Sequence, residues 1–336
     1  MKYKKIILTD TYYNLMLILL NEDINLEKTF FFFGENIKIN KKLKSYIIKK
    51  NRIVNKFRFF ILEILNILKL YFICKKYNLD KITVSGQDHI VGANFFKKRF
   101  KIFLYEDGIA NYSEKILKNQ FELKERLFKE RNILKKIIYK SIFISPSFGF
   151  DDNVLKIYLT GLDNIPSFIK DKVELINVQE LWNKKTIEKQ VEILNIFSFD
   201  SNIKERIKGK TTILFTQPLS EDNIISEIEK IEIYSKILKN YSKDEVVIKT
   251  HPRETTDYKE IFKEYLVLDN PFPFEIMNLL GIKFKRAVTL FSTAALALGD
   301  EVEVDFYGTQ VHENIFKVFG DCKNIMETNK FLKESK

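Results

Sequence analysis

The sequence predicts an α/β protein of two doubly wound domains, each a parallel sheet flanked by helices. Three observations predict it. Short β-branched or aromatic runs alternate with helical stretches along both halves, the pattern of successive β-α-β units. Polar residues gather where the strands end, in LTD, SGQDH, YEDG, FTQPLSED, KTHPRE and LFST. In open α/β sheets that edge is where ligands bind. The length, 336 residues, exceeds what one ordinary core holds. The two domains are expected to face each other across a central cleft. Gly, Pro and Ser are dense between Pro146 and Asp163, so the domains are set at 1–155 and 156–311, with a helical tail, 312–336, crossing back.

Composition narrows the class. Hydrophobic residues make up 45% and charged residues 30%, which is globular rather than disordered. The formal charge of +11 admits an anionic partner: a nucleotide, a phosphorylated glycan, an acidic membrane or nucleic acid. No aromatic-glycine signature of an RNA module and no zinc finger is present, so no nucleic-acid partner is expected. Cys74 and Cys322 fit no metal or redox spacing. The N-terminus enters a strand without a signal-peptide core. A cytoplasmic protein is expected, peripheral at most on the inner face of the membrane, with a homodimer left open.

The elements follow in order. KKIILTD predicts a first strand over Ile6–Leu8, with Thr9 or Asp10 capping the next helix or meeting a ligand. KTFFFFG is a second buried strand. Lys38–Arg58 holds nine Lys or Arg and no acid. It reads as a solvated helix face with a loop, or as a patch for anionic lipid or glycan. Phe57–Cys74 is too interrupted by Arg58, Glu63 and Lys69 to span a membrane and reads as a largely buried helix. KIFLYEDG is a strand ending on Glu106, Asp107 and Gly108. Two carboxylates before a glycine make either an ordinary turn or a ligand site. Glu114–Tyr139 reads as a charged helical insertion or lid.

In the second half, TTILFTQPLSED is a strand and turn, with Ser220 capping a helix that runs to about Tyr241. Asp222, Ile225 and Ile228 are spaced to share one face of that helix. VVIKTHPRE is a strand stopped at His251-Pro252, because proline lacks the amide a strand needs. An imidazole left at a strand exit can hold or give a proton near neutral pH. Glu275 ends the Pro-bounded loop after YLVLD. Ser292 and Thr293 open a small-residue helix whose hydroxyls and amides can grip a phosphate, or which is merely capped. No glycine-rich dinucleotide fingerprint, P-loop, zinc spacing or serine-hydrolase elbow is present.

Taken in order, YEDG, TQPLSED, KTHPRE, PFPFE and LFSTAA resemble the motifs of bacterial GT-B sialyltransferases. They are most similar to the lipooligosaccharide sialyltransferases, glycosyltransferase family 52, over about residues 4–300. The resemblance implies the GT-B fold, with an acceptor-side domain first and a CMP-sugar-binding domain second. It implies inverting transfer of sialic acid from CMP-sialic acid to a galactose-type hydroxyl, without metal or cofactor. A polysialyltransferase or hexosyltransferase on the same scaffold is the alternative. By resemblance His251 is the general acid at the departing phosphate, Ser292 and Thr293 bind that phosphate, and Glu275 holds the ribose. Gln217, Pro218 and Pro252 complete the donor side. Thr9, Asp10, Glu106, Asp107 and Gly108 form the acceptor side. Asp222 is the expected base; Glu221 stays open, and Glu106 or Asp107 competes from the other domain.

Overall fold

The structure, a computed structural model, describes residues 2–39, 43–49, 56–79, 82–129, 146–200, 202–298 and 301–321. It divides into two compact units, Met1–Phe197 and Ser198–Lys336. The first is built on β1 (Lys5–Thr9), β2 (Thr29–Gly34), β3 (Ser45–Ile48), β4 (Thr83–Gly86), β5 (Ile102–Tyr105), β6 (Val154–Leu159) and β7 (Val173–Leu175). They form one sheet in the order β3-β2-β1-β4-β5-β6-β7, parallel throughout. Parallel sheets are covered on both faces, so their strands read as continuous apolar runs. TFFFFG in β2 is the clearest case, every residue being buried. Phe32 meets Phe30 at 5.0 Å and Phe96 at 4.8 Å between ring centroids.

The second unit holds β8 (Thr212–Phe215), β9 (Val246–Lys249), β10 (Leu266–Leu268), β11 (Arg286–Thr289) and β12 (Glu303–Phe306). Their order is β10-β9-β8-β11-β12, again all parallel. Both sheets are therefore wound outward from their first strand. The chain reverses direction between β1 and β4 in one sheet and between β8 and β11 in the other. Ligands in such sheets bind at those switch points.

Several expectations need correction. The boundary at 155/156 falls inside β6, which pairs with β5 and so belongs to the first sheet. The Gly-Pro-Ser density marks loops around β6, and the division lies at 197/198. The helices Val178–Lys184 and Ile187–Ile196, which a boundary at 155/156 would put in the second domain, belong to the first unit. The first helix, α1 (Tyr12–Asn21), is capped by Thr11, whose side chain accepts from the Asn14 amide, rather than by Thr9 or Asp10. Part of the basic segment is the edge strand β3, not helix and loop. The helix α2 (Lys56–Tyr77) is not largely buried: among its residues 61–77 only Leu70, Cys74 and their neighbours on one side enter the core.

Ser220 caps nothing. The helix after β8 starts seven residues later, at Glu227, where Ser226 and Glu229 form a capping box. It ends at Leu238, and Ile228 is 70% exposed, so the face expected for Asp222, Ile225 and Ile228 does not exist. Ser292-Thr293 leads into a six-residue 3-10 turn, Thr293–Leu298, rather than an α-helix. Residues 130–139 of the expected lid and 322–336 of the tail lie outside the described residues; Glu114–Lys129 and Glu313–Phe319 are helical. No helix among the described residues is long and apolar enough to cross a membrane.

Candidate active site

The exits of β8, β9 and β11 carry most of the expected donor-side residues. Gln217 follows β8 and spans the switch point: its Oε1 accepts the Phe291 amide beyond β11 at 3.2 Å. Its own amide donates to Tyr234 Oη at 2.8 Å. Pro218 is buried, and its carbonyl accepts the Asp222 amide at 3.0 Å. The polypeptide from Leu219 to Ile225 is thus a looped turn, with Asn223 at φ 57°. Asp222 and Glu221 project from this turn, Asp222 to Arg253 of the HPRE segment after β9 and Glu221 to Thr255 just beyond it.

Asp222 forms a two-pronged ion pair with Arg253, Oδ1 to Nη1 at 2.6 Å and Oδ2 to Nη2 at 3.0 Å. Such fork-to-fork pairing fixes position as well as charge. Glu221 accepts the Thr255 amide at 2.7 Å and the buried Lys230 ammonium at 2.9 Å. Burial alone would raise the Glu221 carboxyl, but the Thr255 amide and Lys230 outweigh it and hold it at about 2. Glu254 ties the segment down: it accepts the His251 amide at 2.7 Å, the Thr216 hydroxyl, and Tyr258 Oη at 2.8 Å.

His251 is half-buried at the β9 exit, just before Pro252. Its Nδ1 accepts the Arg253 amide at 3.1 Å. A neutral ring in that arrangement carries its proton on Nε2. Burial, then the Arg253 and Lys249 cations, push it down to about 4, so the ring is neutral near pH 7. Lys249 is itself buried beneath the turn. It donates to the Thr250 carbonyl at 3.0 Å and stands 4.6 Å over the Phe272 ring, and burial lowers it to about 8. Ser292 accepts the Ala294 amide at 3.3 Å through Oγ, and its own amide donates to Thr289 Oγ1 at 2.9 Å. Thr293 begins the 3-10 turn, and Glu275 begins the helix Glu275–Leu279, half-buried. The structure therefore gathers Gln217, Pro218, Glu221, Asp222, His251 and Pro252 around two facing loops. Ser292 joins through Gln217.

The exits of the first sheet carry the expected acceptor-side residues. Gln87, after β4, spans that switch point: its Oε1 accepts the Asp10 amide at 2.6 Å and the Thr9 hydroxyl at 3.3 Å. Asp10 accepts from Asn36 Nδ2 at 3.0 Å and lies over Gly34, where a Cβ would collide with its carboxylate. Burial raises the Asp10 carboxyl. Glu106 is fully buried, taking Tyr112 Oη at 2.5 Å, the Thr160 amide at 2.6 Å and Tyr13 Oη at 2.8 Å. With every lone pair engaged it is a lock between β5 and β6. Asp107 is the accessible acid of the pair. It accepts Thr11 Oγ1 at 2.8 Å and lies 3.0 Å from His89 Nε2. Gly108 follows at φ 85°, a backbone that glycine adopts without strain.

His89 was not singled out in the sequence beyond its place in SGQDH. It stacks on Phe148 at 4.5 Å, with Asp88 3.8 Å from Nδ1 and Asp107 on Nε2. Burial opposes its charge, but the two carboxylates raise it to about 9. Asp88 is held in turn by the Phe148 and Gly149 amides, both at 2.8 Å. Arg253 and Glu254 were missed too, although their signal was present: an acid three residues after His251 can close the turn by accepting the backbone amide of His251. Among the described residues no cluster of three or more His, Cys, Asp or Glu side chains is arranged to hold a metal.

The description "Glycosyltransferase family 52" matches residues 12–315, and the chain belongs to that family. A Haemophilus influenzae protein described as uncharacterized is 41% identical over 256 residues, 76% of this chain and 78% of its own. Among solved structures, the α/β-galactoside α-2,3-sialyltransferase of Photobacterium phosphoreum superposes with a TM-score of 0.57 at 16% identity, covering 98% of this chain and 97% of that one. A Photobacterium 2,6-sialyltransferase solved with CMP and lactose gives 0.57 at 12% identity, over 94% and 75%. The GT-B domain of a Photobacterium damselae sialyltransferase gives 0.52 at 11%, over 90% of each. At such identities the likeness establishes the fold, which is GT-B.

Proposed function

We propose that this family 52 glycosyltransferase moves sialic acid from CMP-sialic acid to a galactose-type hydroxyl of a surface glycan such as a lipooligosaccharide. Transfer would invert the anomeric centre and need no metal. The observation that carries the reading is the linked set Asp222–Arg253–His251 on two neighbouring strand exits, in a family 52 chain. The Photobacterium neighbour bound to CMP and lactose supports the donor and acceptor types.

In this reading the bond from the sugar's anomeric carbon to the CMP phosphate breaks as the acceptor oxygen bonds the opposite face. The acceptor proton passes to Asp222, and the phosphate leaves with the electron pair. His251 donates to that phosphate through Nε2. A neutral donor suits the role, since charge grows on the phosphate only as the bond breaks. The phosphate's own charge then draws the imidazole toward its protonated form. Ser292 and Thr293 bind the same phosphate, Glu275 the ribose, and Gln217 ties the β8 exit to the β11 exit that carries Ser292. Glu221 and Glu254 position the HPRE turn rather than react. A specific observation supports a second base: Asp107 is the accessible carboxylate of the EDG turn and has a histidinium beside it.

The test is CMP release from CMP-sialic acid by the purified protein in EDTA, with and without lactose. Release that lactose stimulates is expected. Absence of both release and CMP binding would overturn the donor, and other nucleotide sugars would then be tried for a hexosyl transfer.

A further inference from the structure

Lys249 ends β9 with an ammonium that has no part in the transfer step. The residue is only 4% exposed, two positions before His251. Its Nζ donates to the Thr250 carbonyl at 3.0 Å and to the Asn270 carbonyl at 3.3 Å, with the Phe272 ring centroid 4.6 Å away. Asn270 and Phe272 belong to the loop between β10 and the helix that Glu275 begins. One side chain therefore ties the segment that carries His251 to the segment that carries Glu275.

A tie of that kind needs only a hydrogen-bond donor, and this donor is charged. Burying a charge is costly unless an opposite charge pairs with it. Among the described residues the hydrogen-bond partners of the ammonium are both neutral carbonyls. Glu254, Asp269 and Glu275 favour its charge from farther off, but burial outweighs them. Glu254 is already engaged by the His251 amide and Tyr258, and Asp269 pairs with Lys259 at 2.7 Å. What would complete the pairing is an anion arriving at the β9 exit, which a buried cation attracts with little screening. Lys249 is also one of the two cations that keep His251 neutral. The lysine holds the charge while the imidazole offers the hydrogen bond.

We propose that Lys249 is a positioning residue of the donor side, whose buried ammonium joins the His251 turn to the Glu275 loop and attracts a nucleotide phosphate to that exit. The inference rests on the CMP-sugar reading and adds a charge partner beneath the turn. It gives nucleotide binding a pH dependence of definite sign. The ammonium is intact below about 7 and is lost as pH rises through about 8. A bound phosphate favours the charged form, so binding at alkaline pH takes up a proton. At about pH 8.5 a phosphate monoester is already fully ionised, and His251, lowered to about 4, stays neutral, so neither accounts for that proton.

Calorimetric titration of the full chain with CMP tests it, in two buffers of different ionisation enthalpy. At about pH 8.5 uptake of about half a proton or more per CMP is expected, and the Kd should rise about ten-fold between about pH 7 and 9. Lys249→Met is expected to bind CMP about ten-fold more weakly at about pH 7, with no uptake and a flat profile. Lys249→Arg stays charged throughout, so it should keep the affinity and also flatten the profile. If both variants fail to fold, the uptake and profile of the unaltered protein decide. CMP binding with no uptake and a constant Kd overturns the inference and leaves the donor reading standing. So does Lys249→Met that binds CMP as the unaltered protein does. Absence of CMP binding overturns the donor reading, and this inference with it.

Discussion

His89 and His251 each stand just past a strand that flanks the first strand of its sheet, and their surroundings drive them in opposite directions. His89 lies between Asp88 and Asp107 and is raised to about 9; His251 lies beside Arg253 and above Lys249 and is lowered to about 4. Burial works against the charged form of both. The sign of the neighbouring charges decides the outcome. The two sheets also close their switch points with the same device, a glutamine accepting an amide from the strand across, Gln87 in one and Gln217 in the other. The frameworks are alike, and the charges placed on them are not. A histidinium locked between carboxylates holds a turn in place. A neutral imidazole with Nε2–H to offer is equipped to meet a phosphate.

Removing each ring is the strongest way to break the contrast. His251→Ala is expected to lower lactose-stimulated CMP release by about 10²- to 10⁴-fold with little change in melting. His89→Ala should instead destabilise the first unit by about 1–3 kcal/mol, because Asp88 and Asp107 lose their shared cation. Equal loss of release in both variants, with unchanged melting, would erase the distinction.

The carboxylates sharpen it next. Asp222→Asn is expected to cost about 10²-fold or more in release. Glu221→Gln should lower the melting temperature more than the rate, since it unties Lys230 and Thr255. If Asp107→Asn proves more damaging than Asp222→Asn, the base belongs to the first sheet and His89 is its neighbour for a catalytic reason.

Stability against pH should also separate the two rings. His89 is raised above its ordinary 6.5, so its contribution is full below about 6.5 and is lost as pH rises through about 9. His251 is lowered, so its contribution is full above about 6.5 and is lost as pH falls through about 4. Melts followed across that range should show His89→Gln flattening only the alkaline side and His251→Gln only the acid side. The smallest effect is electrostatic. Arg253→Met should move the His251 titration, followed by ring-proton NMR, upward toward 6.5 and leave that of His89 unchanged. An unmoved His251 would mean that burial and Lys249 set it without Arg253.

Most strands were legible because their residues say so locally. VVIK and TILF are apolar runs stopped by polar or Pro-containing exits, and those exits drew attention to His251, Asp222 and Asp107. The edge strand β3 was hidden by its lysines, because an edge strand need not be apolar on its outer side. The division at 197/198 was hidden because a domain boundary is set by which strands pair. Val154–Leu159 gives no local sign that it completes the first sheet. The helix start at Glu227 was legible in the Ser226 to Glu229 spacing but was overshadowed by the earlier acids at 221 and 222.

Sequence alone determined which residue types stand at the strand exits, and through them the family and the architecture of two parallel sheets. Both follow from short-range order: β-propensity, proline's missing amide, and motif order along the chain. The protonation of the two histidines, the lock at Glu106, the tether of Asp222 to Arg253 and the burial of the Lys249 ammonium were decided only by tertiary structure. The lock and the tether join groups far apart in sequence, Asp222 and Arg253 being 31 residues apart and Glu106 and Thr160 54 apart, and the other two depend on what the fold buries. Charge and burial act through space, and only the folded chain sets those distances.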